Sequence, residues 1–595
     1  MSAYTAPLKD MRFVLKELAG LEQVAKLPGY QDASPDTVDA ILEEAAKFAT
    51  EVLDPLNHSG DTEGSKWSDG KVTTPKGFKE AYRQYAEGGW SALPFAADHG
   101  GQGLPKLVAT AVEEMLTSCN MSFSLCPLLT QGAIHALELA GSELLKKTYL
   151  EKMVAGTWTG TMNLTEPQAG SDLALVKTRA KPAGDHYLVS GQKIFITYGE
   201  HDMAENIVHL VLARTPEAPE GVKGISLFVV PKFLVKPDGS LGERNAAKCA
   251  SIEHKLGIHA SPTAVMVFED AKGYLVGEEN KGLAYMFVMM NAARFSVGLE
   301  GMAIAERAFQ RALAYAKERL QGKDLVQGGK TVPIIRHPDV RRMLMLMKSQ
   351  TEAMRALAYV VAAAMDTSQR HPDKAQRQMH QAFVDLMIPV VKGWSTETGI
   401  EVASLGVQVH GGMGFIEETG AAQHLRDARI TTIYEGTTGI QASDLVGRKI
   451  AREGGATVKE WIKVLQQFDS DLGKSKNPDV QSLRTRLSAA VKAIEESVAF
   501  ILSAAAKDPN AAFAGAVPFL ELMGITAGGW QMARAALIAE RNLGTSADKS
   551  FLEAKIKTAR FFGDHVLSQA SGLAATVTGG AATVMALSED QFLAA

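Results

Sequence analysis

The sequence predicts a mainly helical α+β protein in which a β segment lies between helical segments. Residues 11–156 and 282–453 carry apolar side chains at helical spacing, whereas residues 157–276 contain short β-branched and aromatic runs bounded by Gly and Pro. The remainder of the chain is Ala-rich and again helical in period. The predicted segments are a helical domain at 1–156, a β domain at 157–276, a helical bundle at 277–453 and an additional helical domain at 454–595.

Particular stretches justify each segment in turn. Residues 37–48 predict a helix of the first segment, and residues 186–190 and 225–230 predict strands of the second. Residues 283–294 begin the long helical patterns of the third. Strand signals are few beyond residue 454, and the first segment is expected to be helical throughout.

Composition and charge are those of an ordinary globular protein. The chain has 595 residues, of which 46% are hydrophobic and 22% charged, with a formal net charge of -5. This length predicts more than one structural unit. The charge offers too little basic excess for a nucleic-acid-binding surface, so no polyanionic partner is expected.

Cysteine spacing and the uncharged stretches bear on compartment. Cys119, Cys126 and Cys249 stand in no CxxC or His-rich spacing, which argues against a zinc site and a disulfide framework and favours a reducing compartment. Residues 1–10 resemble neither a secretory signal nor an Arg-rich transit peptide. Residues 566–588 are uncharged but interrupted by polar residues and Gly, so they do not predict a membrane span. We expect a cytoplasmic protein.

The β segment opens with a motif suited to a polar ligand, Leu-Thr-Glu-Pro-Gln-Ala-Gly-Ser-Asp at 164–172. Pro167 and Gly170 favour an irregular backbone that leaves main-chain amides available. The hydroxyls of Thr165 and Ser171 can then meet a polar, planar ligand. The same stretch is equally typical of a loop that leaves a strand and ends in an Asp cap.

A second motif, Lys-Ile-Phe-Ile-Thr-Tyr-Gly, occupies residues 193–199. Its alternation predicts a strand that buries Ile194 and Ile196.

Small residues follow Arg294 on the next predicted helix. Gly298, Gly301 and Ala305 stand four, seven and eleven residues after it, near one helix face, and permit close approach of another helix or of a ligand. By itself, Arg294 is more typical of a surface ion pair. Arg319, near the end of the same pattern, is also typical of a basic residue that favours a helix C-terminus.

The most specific motif spans residues 407–441. Gly411 and Gly412 allow backbone NH groups to approach a pyrophosphate. An Arg-Asp pair at 426–427 and the run Ile-Tyr-Glu-Gly-Thr at 433–437 follow in order. Taken singly, paired glycines end a helix and Arg-Asp forms a salt bridge, but the ordered set of three elements is far more specific.

Together these motifs resemble the acyl-CoA dehydrogenase family over residues 40–450. The resemblance implies an N-terminal helical domain, a middle β-barrel-like domain and a C-terminal four-helix bundle. The extra C-terminal domain is similar to that of the long bacterial subgroup that includes 3-methylmercaptopropionyl-CoA dehydrogenases of dimethylsulfoniopropionate breakdown and long members of fatty-acid β-oxidation. In that subgroup the extension is expected to cover the surface that shorter relatives use to form tetramers, which favours a homodimer.

The resemblance implies FAD as cofactor. Phe195 stands where the family usually has Trp, and its ring can still cover one flavin face, while Tyr198 replaces the usual Asn. Arg319 resembles an arginine that holds the FAD pyrophosphate of a neighbouring subunit, although the Phe of that motif is missing and the loop through 328–330 is longer. The implied FAD-binding residues are Met162, Leu164, Thr165, Gly170, Ser171, Phe195, Thr197, Arg319, Gln408, Gly411, Gly412, Thr437 and Gly439.

The resemblance also implies an acyl-CoA substrate and Glu435 as the catalytic base. Glu435 would remove a proton from Cα while a hydride leaves Cβ for the flavin, giving a trans-2-enoyl-CoA, with an electron-transferring flavoprotein as electron acceptor. In some relatives the base stands at the position of Ala293 here, so Glu435 has no rival. The implied substrate contacts are Ser171, Asn291, Arg294 and Gly436, with Asn291 in place of the usual Asp.

Alternatives remain open. An acyl-CoA oxidase would use the same base with oxygen as acceptor; its peroxisomal members often end in Ser-Lys-Leu, whereas this chain ends in Ala594-Ala595. A flavin monooxygenase would not need Glu435. A non-catalytic acyl-CoA or flavin-binding protein is the alternative from another class. A membrane-docking helix in the extension would need a dense Lys/Arg cluster that the sequence lacks. The acyl group stays open between 3-methylmercaptopropionyl and fatty acyl chains.

Overall fold

The computed structural model describes residues 4–326 and 328–593. Residues 1–3 and 594–595, on which the terminal-segment predictions partly rest, lie outside the described residues.

The first part of the chain is helical, and α3 contains the helix predicted at residues 37–48. Short π-helical turns, Val14–Leu18 and Ala49–Leu53, continue the first and third helices. The helices are α1 (Leu8–Phe13), α2 (Leu21–Val24), α3 (Pro35–Phe48), α4 (Asp54–Glu63), α5 (Phe78–Glu87), α6 (Lys106–Cys119), α7 (Met121–Ala140) and α8 (Glu143–Val154).

A short hairpin corrects the expectation that this region is helical throughout. Strands β1 (Lys66–Ser68) and β2 (Lys71–Thr73) pair antiparallel. Asp69 and Gly70 connect them with φ of 47° and 73°, the left-handed geometry that a tight Asp-Gly turn adopts. Strands of three residues are too short to show an apolar alternation in the sequence. The Asp-Gly pair was therefore the only local sequence signal of this hairpin.

The middle region is a β domain, as the β-branched runs predict, and its main sheet has seven strands. Its order is β3-β6-β7-β11-β5-β4, with β10 also paired to β11. The β3–β6 pair is parallel and the β6–β7 pair antiparallel. The strands are β3 (Trp158–Asn163), β4 (Arg179–Ala183), β5 (His186–Thr197), β6 (Asn206–Ala213), β7 (Ser226–Pro231), β8 (Phe233–Val235), β9 (Leu241–Arg244), β10 (Ala247–Ile252) and β11 (Thr263–Val276). Two of these strands, β8 and β9, pair with each other in a separate antiparallel hairpin.

Helices return after the sheet. The helix predicted at residues 283–294 is the start of α9 (Gly282–Glu318). The loop expected through residues 328–330 is instead part of a hairpin of β12 (Leu320–Asp324) and β13 (Gly328–Pro333). The later helices are α10 (Pro338–Arg370), α11 (Lys374–His410), α12 (Ala421–Ala428), α13 (Thr438–Ser443), α14 (Ala456–Leu472), α15 (Pro478–Lys507), α16 (Pro509–Ala514), α17 (Ala516–Asn542), α18 (Lys549–His565), α19 (Ala570–Gly579) and α20 (Ala581–Val584).

The chain divides into two compact units. The sheet unit comprises Glu44–Leu104 and Met115–Ser296. The helical unit comprises the described residues of Met1–Glu43, Pro105–Glu114 and Val297–Ala595. The division falls within α9, between Ser296 and Val297, so the additional C-terminal helices and the preceding bundle belong to one unit.

The core of the sheet unit lies on both faces of its central strands. Every residue of β6 and of β7 is buried, which is why apolar side chains predominate in both strands. Helix α7 approaches β3 closely, because a Cβ at Gly160 would lie 2.5 Å from the Cβ of Ala133.

Close helix contacts define the core of the helical unit. A Cβ at Gly301 would lie 2.4 Å from the carbonyl oxygen of Ser395, and one at Gly298 would lie 2.7 Å from that of Val391. Both neighbours lie on α11, which confirms that the small residues after Arg294 permit close approach of another helix. The ring of Trp394, also on α11, lies against Gly524 of α17.

Among the described residues, α9 alone has the length and apolar composition of a membrane-crossing helix. Slightly more than half of its most apolar stretch is buried within the protein, as expected for a core helix.

Candidate active site

Glu435 occupies a strained backbone position just before α13. Its φ is 54° and that of Gly436 is 88°, both in the left-handed region, which non-Gly residues adopt at a cost. Thr437 caps α13, since its hydroxyl accepts a hydrogen bond from the Ile440 NH at 3.2 Å. The helix therefore begins at Thr438.

Two buried side chains hold the carbonyls of this segment. Lys392, on α11, donates from Nζ to the Gly436 oxygen at 2.7 Å. Gln441 donates from Nε2 to the oxygens of Glu435 and Gly436, at 3.1 and 3.3 Å. The main chain on either side of the Glu435–Gly436 peptide is thus oriented by side chains from two helices, as preorganisation of a reactive group requires.

A third contact links the segment to α9. The Tyr434 hydroxyl donates to the Glu300 carboxyl, which is only 2% exposed. Burial, together with the nearby negative charge of Glu435, raises the pKa of Glu300 to about 8. Sequence reasoning missed Glu300 and Lys392. The available signal was a single charged residue within an otherwise apolar helical run.

The paired glycines form an open turn at the end of α11. Gly411 has a φ of 59° and donates its NH to the Gln408 oxygen. A Cβ at Gly411 or Gly412 would meet nothing within 4 Å. Both glycines and Gln408 are exposed, so the main chain here is accessible to an anionic group.

The remaining predicted FAD contacts of the helical unit are also exposed. The side chain of Arg319 lies on the surface directly after α9. The main-chain oxygen of Arg319 accepts a hydrogen bond from the Ile334 NH at 2.8 Å. Thr437 and Gly439 are exposed at the start of α13.

In the sheet unit, the loop after β3 is organised by a buried carboxylate. Glu166 is 3% exposed and accepts hydrogen bonds from Lys193 Nζ at 2.8 Å, Thr178 Oγ1 at 2.6 Å and the Lys177 NH at 2.7 Å. Burial opposes ionisation, but the Lys193 charge and these hydrogen bonds hold the pKa of Glu166 well below its usual value. Lys193 also donates to the Leu164 oxygen at 2.8 Å, which fixes the loop to β5.

The loop itself is exposed at the predicted ligand-binding positions. Gly170 and Ser171 are on the surface, and a Cβ at Gly170 would meet nothing within 4 Å. Asp172 caps the next turn by accepting from the Ala174 NH at 2.9 Å. The capping interpretation is therefore confirmed, and it is compatible with a ligand over the exposed backbone. Met162 and Thr165 are half-buried and Leu164 is buried.

Strand β5 presents an exposed aromatic ring. Phe195 is 59% exposed and has a φ of 60°. Ile196 is buried as the alternation predicts, whereas Ile194, also predicted to be buried, is only half-buried. Thr197 is half-buried. Tyr198 is buried and donates its hydroxyl to the Ser122 oxygen at 2.7 Å. A planar ring in solvent beside an open loop is a suitable surface for another planar ring.

Arg294 and Asn291 lie on the part of α9 that belongs to the sheet unit. Arg294 is only 5% exposed, so it is not the surface ion-pair residue that an isolated Arg on a helix suggests. Asn291 is half-buried, and Ala293 is buried. The predicted site residues thus fall into two sets: those up to Arg294 in the sheet unit, and those from Arg319 onward, with Glu435, in the helical unit.

Family models match the chain in the order of the predicted segments. The acyl-CoA dehydrogenase N-terminal, middle and C-terminal domain models match residues 35–157, 161–271 and 280–450. A model described as acetyl-CoA dehydrogenase C-terminal like matches residues 456–588.

Individual relatives cover nearly the whole chain. A 3-methylmercaptopropionyl-CoA dehydrogenase of Ruegeria pomeroyi is 51% identical over 97% of this chain and 98% of its own length. A butyryl-CoA dehydrogenase of Syntrophomonas wolfei is 35% identical over 94% of each chain. The fold is shared with a crystal structure of a Bacillus anthracis acyl-CoA dehydrogenase complexed with FAD, at a TM-score of 0.74 and 21% identity over 95% of this chain and 91% of that one.

The full-length relatives and the consecutive domain matches agree with each other and with the fold. The chain belongs to the acyl-CoA dehydrogenase family of oxidoreductases.

Proposed function

We propose that the protein catalyses α,β-dehydrogenation of an acyl-CoA thioester to a trans-2-enoyl-CoA, with Glu435 as the catalytic base. The observation that carries this proposal is the strained backbone of Glu435, whose adjoining carbonyls are held by Lys392 and Gln441. A carboxylate presented from a backbone fixed in this way needs little reorganisation to accept a proton. The 51% identical relative supports the reaction class.

The residues of this chain fit an FAD cofactor. The open turn at Gly411 and Gly412 suits a pyrophosphate, and the exposed Phe195 ring suits one face of the flavin. Thr197 and the loop of Gly170 and Ser171 offer hydroxyls and main-chain amides for the ring edge. When bound, the flavin supplies the acceptor for the hydride that leaves Cβ. The other proposed contacts are Met162, Leu164, Thr165, Arg319, Gln408, Thr437 and Gly439.

The protein's own residues govern the proton. The Glu435 carboxylate takes the proton from Cα, so the C–H electron pair becomes the second bond between Cα and Cβ. The main-chain NH of Glu435 donates a hydrogen bond to the thioester carbonyl and thereby stabilises the charge that develops there. Ser171, Asn291, Arg294 and Gly436 are the proposed contacts to the rest of the acyl-CoA.

For the acyl group we propose 3-methylmercaptopropionyl-CoA, because the relative of that name matches over nearly the whole chain. A short fatty acyl-CoA is the second candidate, supported by the 35% identical butyryl-CoA dehydrogenase. An electron-transferring flavoprotein is the proposed electron acceptor, and a cytoplasmic homodimer the proposed form. Size-exclusion chromatography with light scattering would distinguish a dimer from a tetramer.

The reaction is tested by anaerobic bleaching of the flavin's visible absorbance. We expect bleaching by 3-methylmercaptopropionyl-CoA or by one of butyryl-, octanoyl- and palmitoyl-CoA. In Glu435→Gln the rate constant should fall by at least about 100-fold, because a general base contributes that much. Glu418→Gln, at an exposed position of the same unit, is the matched control and should keep the wild-type rate.

Two results would contradict the proposal. A yellow protein that no thioester reduces would favour a binding role. Wild-type bleaching by Glu435→Gln would remove Glu435 from the reaction. Rapid reoxidation of the reduced protein by oxygen, without need of an electron-transferring flavoprotein, would instead favour an oxidase.

A further inference from the structure

The strained backbone of Glu435 is held from both sides. On its C-terminal side, Lys392 and Gln441 donate to the main-chain oxygens of Glu435 and Gly436. On its N-terminal side, the Tyr434 hydroxyl donates to Glu300. A left-handed non-Gly residue persists only where its surroundings determine its conformation, so each of these contacts bears on where the Glu435 carboxylate points.

The carboxyl of Glu300 is unfavourable for the stability of the fold. Its Oε1 is buried without a hydrogen-bond partner among the described residues, while Oε2 accepts from Tyr434. A buried carboxyl with one oxygen unsatisfied destabilises a fold, so its presence calls for another explanation. Helix α9, which carries it, is anchored near this point by the contact of Gly301 with α11.

The charged and titratable groups near Glu300 come from three further parts of the unit. Tyr434 and Glu435 precede α13, Lys392 lies on α11 and Glu113 lies on α6. Burial, with the charges of Glu435 and Glu113 acting in the same direction, raises the pKa of Glu300 to about 8, whereas Tyr434 and Lys392 act to lower it. Glu300 is thereby held mainly in its neutral form at neutral pH.

We propose that Glu300 is a positioning residue for the dehydrogenation: through Tyr434 it holds the backbone of Glu435 in the orientation that proton transfer requires. This inference rests on the function proposed above. In its neutral form Glu300 accepts the Tyr434 hydrogen bond without placing a second negative charge beside the base. Once ionised, it opposes the negative charge that develops on the substrate, and it slows the reaction.

The test is stopped-flow reduction of the flavin by 3-methylmercaptopropionyl-CoA, with butyryl-CoA as the second probe. In Tyr434→Phe the limiting rate constant should fall by about tenfold, because one buried hydrogen bond is lost. The substrate dissociation constant should change by less than about twofold, since neither residue is proposed to touch the acyl-CoA.

The pH profile isolates Glu300 itself. In the wild type the rate constant should decline with a midpoint near the Glu300 pKa of about 8. Glu300→Gln keeps an acceptor oxygen for Tyr434 but cannot ionise, so its rate at neutral pH should stay within about threefold of wild type while the alkaline decline disappears. A purely structural role would not remove one limb of the profile.

Tyr359→Phe is the matched control. Tyr359 donates its hydroxyl to the buried Glu114 at 2.6 Å in the same unit, remote in sequence from Glu435. Losing that bond costs similar stability but should leave the flavin-reduction rate unchanged. Equal slowing by Tyr359→Phe and Tyr434→Phe would overturn the proposal, because the effect would then be general destabilisation.

The remaining outcomes separate this inference from the proposed function. If Glu435→Gln abolishes reduction while Tyr434→Phe and Glu300→Gln match the wild type in rate and pH profile, only the role of Glu300 is refuted. If the flavin of Glu435→Gln is reduced at the wild-type rate, the proposed function itself is refuted. Should Tyr434→Phe lose its fold or flavin, judged by circular dichroism and visible absorbance, the alkaline limb of Glu300→Gln decides alone.

Discussion

Glu166 and Lys193 show how one buried ion pair orients a loop. Lys193 is fully buried, and its ammonium contacts both the Glu166 carboxylate and the Leu164 oxygen, at 2.8 Å each. The two residues lie at the start of the loop and within β5, so the pair fixes the loop that carries Gly170 and Ser171. A charge buried this deeply stays in place only while its partner does.

Glu166→Gln should therefore destabilise the protein markedly. The variant leaves the buried Lys193 ammonium without its counter-ion, and removing one partner of a buried pair costs about 3 to 5 kcal/mol. Glu269→Gln is the control, because Glu269 pairs with Lys248 on the surface of the same sheet and should contribute less than about 1 kcal/mol. Urea unfolding measures both changes. Similar midpoints for the two variants would show that the loop does not depend on this pair.

The pair should also make stability depend on pH. The pKa of Glu166 is lowered from 4.5 to about 2 in the folded protein. Its stabilisation is thus complete above the unfolded-state value and lost as the pH falls towards the folded-state value. The difference in unfolding free energy between wild type and Glu166→Gln should shrink as the pH falls below about 4.5. A difference constant down to about pH 3 would contradict this assignment.

At the scale of elements, the close crossing of α9 and α11 depends on glycines, which have no side chain at the contact. A Cβ at Gly399 would lie 2.5 Å from the Gly301 oxygen, and one at Gly301 would lie 2.4 Å from the Ser395 oxygen. Both obstacles are backbone atoms, which cannot move aside as a flexible side chain can. Since α9 carries Glu300 and α11 carries Lys392, the same crossing sets the spacing of the residues around Glu435.

Gly301→Ala should destabilise the protein by about 1 to 3 kcal/mol, because overpacking at a helix crossing outweighs the helical preference of Ala. Gly572→Ala is the matched control: Gly572 lies in α19, is exposed and has nothing within 4 Å of a Cβ. That change should stabilise slightly, by up to about 1 kcal/mol. Opposite signs in chemical denaturation are expected, and a gain in stability from Gly301→Ala would show that the helices can separate without cost.

At the scale of the whole helical unit, a buried charge cluster links distant parts of the chain. The Arg355 guanidinium contacts Asp10 at 2.7 Å and Glu114 and Glu306 at 2.6 Å each. Lys555, in the C-terminal extension, contacts Glu352 at 2.8 Å and also Asp10. The cluster thus joins α1, α6, α9, α10 and α18. The extension is therefore an integral part of the unit's core.

Lys555→Met should destabilise the whole helical unit by about 3 to 5 kcal/mol, because it removes a buried cation from Asp10 and Glu352. Among the described residues, these two carboxylates then retain only Arg355 and Lys348. Lys557→Met, at an exposed position two residues further along α18, should change stability by less than about 0.5 kcal/mol. Thermal unfolding compares the two variants. If both behave alike, the extension does not depend on this cluster.

Local patterns were sufficient for the types and order of the main elements. Helical period predicted α3 and the start of α9, and β-branched runs predicted β5 and β7, because these elements bury faces whose spacing is written in consecutive residues. The close approach at Gly298 and Gly301 was predicted for the same reason. The hairpin β1–β2 was missed because strands of three residues carry too few side chains to show a period. The hairpin β12–β13 was missed because its strands are largely exposed and so have no apolar face to alternate with a polar one.

The sequence by itself determined the family, the order of the helical and β segments, and Glu435 as the candidate base. These could be predicted because each motif is a run of consecutive residues and the motifs follow one another in a fixed order. Only the tertiary structure revealed what holds that base. Glu300 and Tyr434 are 134 positions apart, and Lys392 and Gly436 are 44 apart. Their contacts arise from the packing of α9 and α11 against the segment before α13. No local periodicity in the sequence predicts such contacts, because they depend on the distance between helices and not on the spacing of residues within one helix.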